Sequence, residues 1–123
     1  MKHREVFGEA RWLSPRSILD AALFRSEIEI KNDFQKAELT VCGLGWFIFF
    51  INGKRVGSDE FVPAYSDYHE RPNMDLVYPL NDEQSHRIYV MKYDVTKYLH
   101  TGKNILAAAV GGGYYHQTVQ QCV

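Results

Sequence analysis

The chain has 123 residues, with 14 Lys or Arg against 15 Asp or Glu and a net charge of -1. That balance, with no basic run longer than two residues, excludes the electrostatic footprint of a nucleic-acid binder, and no apolar run approaches the ~18 residues of a membrane-spanning helix. The length fits one domain able to bury roughly two-thirds of its unfolded surface. Two cysteines, Cys42 and Cys122, make neither a disulfide framework nor a metal-ligand spacing. The first residues, MKHRE, are followed by no apolar h-region, which leaves the compartment open.

Residues 1–22 are poorly patterned, with Trp12 and Pro15 their only strong features, and read as an extended lead-in to a domain over 23–123. Residues 23–30 (LFRSEIEI) alternate. Phe24, Ser26, Ile28 and Ile30 share one face, and Leu23, Arg25, Glu27 and Glu29 the other, the period-2 pattern of a strand with one wet side. Lys31-Asn32-Asp33 is turn chemistry, and residues 37–42 (AELTVC) alternate again with Ala37, Leu39 and Val41 inward. Cys42 then reads as a small buried hydrophobe. Residues 46–51 (WFIFFI) are uniformly apolar, β-branched or aromatic, which predicts a central strand buried on both faces. Asn52-Gly53 ends it with the pair best suited to positive φ at both central positions of a type I′ turn, and Lys54-Arg55-Val56-Gly57 leads away again.

Residues 62–87 lose all periodicity, hold three of the four prolines and read as a long loop or pair of loops. Residues 88–93 (IYVMKY) predict the next strand. Asp94 and Thr96 offer side-chain oxygens to cap a short turn at Lys97-Tyr98-Leu99, which Gly102 ends. Residues 104–110 (NILAAAV) read as a buried strand whose alanines imply close packing against a bulky neighbour, and Gly111-Gly112-Gly113 makes a bend. Short strands at close spacing with almost no helical pattern predict an all-β fold, an antiparallel β-sandwich or jelly roll.

The chemistry-bearing residues are sparse. Asp59, Glu60, Asp67, Glu70, Asp75, Asp82 and Glu83 fall in loops with no pairing pattern, so they read as solvated charges and turn caps, and no catalytic residue is assigned. His69 and His116 lack ligand spacing, and neither a metal nor a cofactor is expected. Aromatics make up 14% of the chain, which suits either a β-rich core or a surface that stacks on sugar rings. Within the set Trp46, Tyr65, Tyr68, Tyr114 and Tyr115, Trp46 opens the apolar run and reads as core. Tyr68-His69-Glu70-Arg71 sets a ring beside polar donors, so the candidate carbohydrate-binding residues are Tyr65, Tyr68, His69, Arg71, Tyr114 and Tyr115. Asn52, Gly53, Asp94, Thr96 and Gly102 form the structural set.

Three segments, LFRSEIEI, GLGWFIFFINGKRVGSDEFVPAYSDY and YDVTKYLHTGKNILAAAVGGGYYHQ, carry a resemblance in the right order. Together, across residues 23–117, they resemble the N-terminal domain of bacterial α-L-rhamnosidases, a β-sandwich of the galactose-binding, jelly-roll type. A looser form of the pattern also occurs in sandwich domains of β-galactosidase-like enzymes. Residues 69–87 exceed the family pattern in length, and family members continue into further strands and a helical catalytic barrel, so the chain is expected to be a fragment. Glycosidases use two carboxyl groups flanking the scissile bond. By resemblance those lie in the barrel, which implies an accessory, non-catalytic domain. The alternatives are a stand-alone carbohydrate-binding module and a structural interaction domain. Expected partners are carbohydrate or the catalytic domain, with no nucleic acid and no membrane. A sandwich short of its last strands also leaves an uncovered edge, expected at residues 104–110, through which a homo-oligomer would form.

Overall fold

The computed structural model describes residues 3–16, 21–63 and 89–112. A one-turn helix, α1 (His3–Phe7), precedes the strands β1 (Ala21–Ile30), β2 (Glu38–Val41), β3 (Trp46–Ile51), β4 (Lys54–Arg55), β5 (Met91–Asp94) and β6 (Gly102–Gly111). They form a four-stranded sheet in the order β1-β6-β3-β4 and a two-stranded sheet, β2-β5, with every pairing antiparallel. This is the all-β sandwich that the strand pattern predicts.

The pleat sorts side chains between the faces. Leu106 of β6 and Phe49 and Ile51 of β3 pack with Leu39 of β2 and Tyr93 of β5 around the buried Val56 and Val95, which identifies the inner face and closes one end of the sandwich. Ile51 is only 1% exposed. The three alanines of β6 lie between bulkier neighbours: Ala108 is opposite Phe49 on one side and Phe24 on the other, and Ala109 is opposite Ile48 and Leu23. Small residues in the middle row let large ones on both flanking strands share the space, as the alanine run implies.

Six expectations need correction. The lead-in is not wholly extended, since it opens with α1, and β1 begins two residues early because Ala21 and Ala22 pair with Gly111 and Val110. β3 is an interior strand but is not buried on both faces. Phe47 and Ile51 are buried toward the second sheet, whereas Trp46, Ile48 and Phe50 are half-buried, because no second layer among the described residues covers the outer face. β5 starts at Met91, where pairing with Val41 begins, and Tyr89 lies before it, 44% exposed. Residues 104–110 are not an edge at all: β6 is flanked by β1 and β3, and among the described residues the outermost strands of that sheet are β1 and β4. Cys42 also falls just beyond the end of β2, half-buried, and burial raises its thiol pKa.

Candidate functional site

The hairpin after β3 forms as its sequence predicts. Asn52 and Gly53 both take positive φ, 50° and 78°, and the strands re-pair at Ile51–Lys54 and Phe50–Arg55. Asn52 has a second task that its turn role does not reveal. Its backbone N–H donates to the Ile105 carbonyl (2.8 Å), and its side-chain Oδ1 accepts from the Ile105 N–H (2.9 Å). Its Nδ2 donates to the Tyr98 carbonyl (3.0 Å) and to Asn104 Oδ1 (2.8 Å). Asn104, 0% exposed, completes the arrangement by donating to the carbonyls of His100 (2.6 Å) and Gly102 (3.0 Å) and accepting from the His100 N–H (3.1 Å). Burying a polar amide is tolerable only when its hydrogen-bonding capacity is met, and here it is met on both sides. The pair clamps the hairpin to the segment entering β6, where Gly102 takes φ 100°.

Asp94 and Thr96 act together, though not as two caps of one turn. Asp94 Oδ1 accepts from the Thr96 N–H (3.0 Å) and from the Thr96 hydroxyl (2.6 Å). These bonds, the hydroxyl's first, hold the exposed Asp94 carboxyl below its ordinary pKa. Thr96 Oγ1 in turn accepts from the Ala37 N–H (3.0 Å), and the Val95 N–H donates to the Ala37 carbonyl (3.0 Å). Asp94 therefore secures the 3₁₀ turn Thr96–Tyr98, while the Thr96 oxygen extends the β2–β5 ladder instead of capping. A hydroxyl committed in this way is a clasp between strands and not a nucleophile.

Among the described residues, two surfaces remain that face outward chemically. The first is a cleft of about 600 Å³ at the open end of the sandwich. Phe24, Phe47, Phe49 and Val110 line its sheet side and Phe7 and Trp12 the lead-in side. Its polar lining is confined to a few groups such as Arg11 and Thr40, which suits an apolar occupant better than a sugar that needs many hydrogen bonds.

The second surface is the corner after β4. Arg55 Nη1 pairs with Glu60 Oε1 (3.0 Å), and its Nη2 donates to the Asp59 carbonyl (2.6 Å), so the guanidinium folds the loop back over itself. Tyr93 reaches the same place from β5: burial raises its hydroxyl pKa first, with the neighbouring Asp59 charge and their hydrogen bond adding to the rise. Gly57 leaves room for this approach, because a Cβ there would lie 2.9 Å from the Tyr93 ring. Phe61 follows at φ 54°, 68% exposed, with its ring edge-on to Trp46 at 4.9 Å. The loop thus carries an exposed ring in the residue after Glu60, whose carboxylate is paired with the Arg55 guanidinium.

Tyr65, Tyr68, His69, Arg71, Tyr114 and Tyr115 lie outside the described residues. The structural set is placed throughout, with the change of role for Thr96 given above. The apolar run of β3 predicts a core position for Trp46, whereas it is half-buried on the outer face against Phe61. Phe61 itself was missed. Its position directly after Asp59-Glu60 was the available signal, since a lone aromatic beside two acids in a loop has no core face to join.

The family model for the α-L-rhamnosidase N-terminal domain matches residues 32–78 and 73–122. An α-L-rhamnosidase of Formosa agariphila is 33% identical over 99 residues, which is 80% of this chain and 9% of that protein. Among solved structures, an α-L-rhamnosidase from Dictyoglumus thermophilum matches with a TM-score of 0.62 and 28% identity over 78% of this chain and 9% of that one. A Streptomyces avermitilis α-L-rhamnosidase complexed with L-rhamnose matches with a TM-score of 0.59 and 30% identity, covering 78% and 8%. The chain therefore spans about a tenth of the length of the relatives it matches. With six antiparallel strands in two sheets and a family model matched across most of its length, the chain belongs to the α-L-rhamnosidase N-terminal domain family.

Proposed function

We propose that the chain serves as an accessory, non-catalytic β-sandwich domain of a rhamnoside-hydrolysing protein, supporting the packing of that protein and contributing carbohydrate contacts at the corner after β4. The observation that carries the accessory role is the match to an N-terminal domain alone, about a tenth of the relatives' length. The employment of four of the described carboxylates supports it. Asp94 secures a turn, Asp33 accepts from Thr101 (2.9 Å), Glu38 pairs with Lys92 (3.4 Å), and Glu60 with Arg55. Each holds strands or loops, and acid–base hydrolysis needs carboxyls left available on either side of a sugar.

The carbohydrate part rests on the corner. The exposed Phe61 ring can stack on the apolar face of a pyranose while Glu60 and Arg55 reach its hydroxyls, the usual division of labour in sugar sites. Calorimetric titration of the purified chain with L-rhamnose tests it. Weak saturable binding is expected, and Phe61→Ala should reduce the affinity roughly tenfold. Binding unchanged by that substitution would move the site elsewhere, and no binding at all would leave a packing role only.

A further inference from the structure

The free edge of β1 is written for a second copy of itself. β1 is ten residues long, and among the described residues it pairs only on its β6 side, from Ala21–Gly111 to Ile30–Gly102, with no backbone group bonded to its other side. A long, regular edge of this kind presents a row of unpaired N–H and C=O groups, a template for another strand. Proteins usually blunt such edges with charge, and β1 does carry charge on its outer face: Arg25, Glu27 and Glu29. The order of signs makes these charges self-complementary instead of protective.

An antiparallel pairing of β1 with its own copy that keeps both inner faces on one side can shift only in steps that preserve the alternation. Centred on Ser26, it places Arg25 opposite the partner's Glu27 twice over, Phe24 opposite the partner's Ile28, and Ala22 opposite the partner's Ile30. Centred one residue earlier, Arg25 faces the partner's Arg25; one residue later, Arg25 faces the partner's Glu29 on both sides of the axis, but Glu27 faces the partner's Glu27 at its centre. Like charges directly opposite are destabilising and opposite charges favourable, so the charge pattern selects one of the three centres. The local surroundings agree. Among the described residues Arg25 has no ion-pair partner, whereas Glu27 already leans on Lys103 (3.3 Å) and would gain a second cation. Phe24 and Ile28 are half-buried in the monomer, and an added strand would extend the inner layer over them.

We infer that the chain forms a two-fold dimer by β1–β1 pairing centred on Ser26, joining the two four-stranded sheets into one continuous sheet. The edge is therefore not that of residues 104–110, which are interior, but the opposite flank of β1. A closed two-fold contact of this kind uses the same patch on both copies and cannot propagate into fibres.

Sedimentation of five samples at micromolar concentration tests the inference. The native chain should run at twice the 14.3 kDa chain mass. R25E sets Glu against Glu and E27R sets Arg against Arg, and each should weaken the dimer by roughly tenfold or more. An equimolar mixture of the two single variants should recover the dimer, because each supplies the sign the other lacks, and the doubly reversed R25E/E27R chain should recover it alone. That recovery also separates the effect from misfolding. A monomeric native chain, single variants that dimerise as well as the native chain, or a mixture that stays monomeric would each overturn the inference.

Discussion

Gly53 decides whether the β3–β4 hairpin closes. It sits at φ 78°, and a Cβ there would meet no atom within 4 Å, so a substitution is opposed by backbone conformation alone. Gly53→Val should cost about 1–2 kcal/mol, measured by urea unfolding, because an L-residue with a branched Cβ resists the left-handed region. An unchanged midpoint would contradict the turn. Gly45 is constrained differently: a Cβ at that position would run into the carbonyl oxygens of Gly111 and Gly112, so its role is to let two backbones approach. Asp94 makes a prediction in pH. Its folded pKa is lowered, first by the Thr96 hydroxyl and then by the Thr96 amide, so folding favours the ionised form. That contribution is complete above the unfolded value near 3.8 and disappears as pH falls through the lower folded value. In Asp94→Asn the acid loss of stability below about pH 5 should be shallower than in the parent, and identical slopes would show that the carboxylate contributes nothing.

At the scale of elements, the clamp between the β3–β4 turn and the start of β6 ties together segments some fifty residues apart, and Asn104 is its centre. Asn104→Ala would take from the Asn52 amide one of its acceptors and from the His100 N–H its acceptor, a loss of roughly 2–6 kcal/mol at 1–3 kcal/mol per buried group. Hydrogen exchange should then speed at Ile105, whose N–H depends on the Asn52 side chain. Unaltered protection there would contradict the clamp. The elements legible in the sequence are those set by neighbours in the chain. β1 showed in its alternation, and the hairpin in Asn52-Gly53, whose φ values are decided within two residues. β5 and β6 were misread where partners far along the chain decide. β5 begins where Val41 meets Met91, and β6 is central only because β1 and β3 both choose it. α1 was invisible because five residues are too few to show a helical period. Thr96 was read as a cap from its local offset, although the atom it serves, the Ala37 N–H, is 59 positions away. The same distinction explains the site: the exposure of Phe61 and its contact with Trp46 depend on where the loop after β4 lands, which no local pattern encodes.

For the whole molecule, the described sandwich has one closed end, built on Ile51, Val56 and Val95, and one open end, the apolar cleft between the sheet and the lead-in. The outer face of the four-stranded sheet carries Leu23, 85% exposed, and Ile105, 37% exposed, so apolar surface is available on the side away from the second sheet as well. On the proposed reading the rest of the protein packs against these apolar surfaces, and the corner of Arg55, Asp59, Glu60 and Phe61 is left for carbohydrate. The central claim, a non-catalytic domain that touches carbohydrate at that corner, is tested most directly by heteronuclear NMR of the purified chain incubated with an aryl α-L-rhamnoside. The expected spectrum shows shifts confined to Arg55, Glu60, Phe61 and the Trp46 indole, with no free L-rhamnose accumulating. Release of L-rhamnose by the folded chain, or shifts centred on Phe24, Phe47 and Val110 in the cleft, would contradict it.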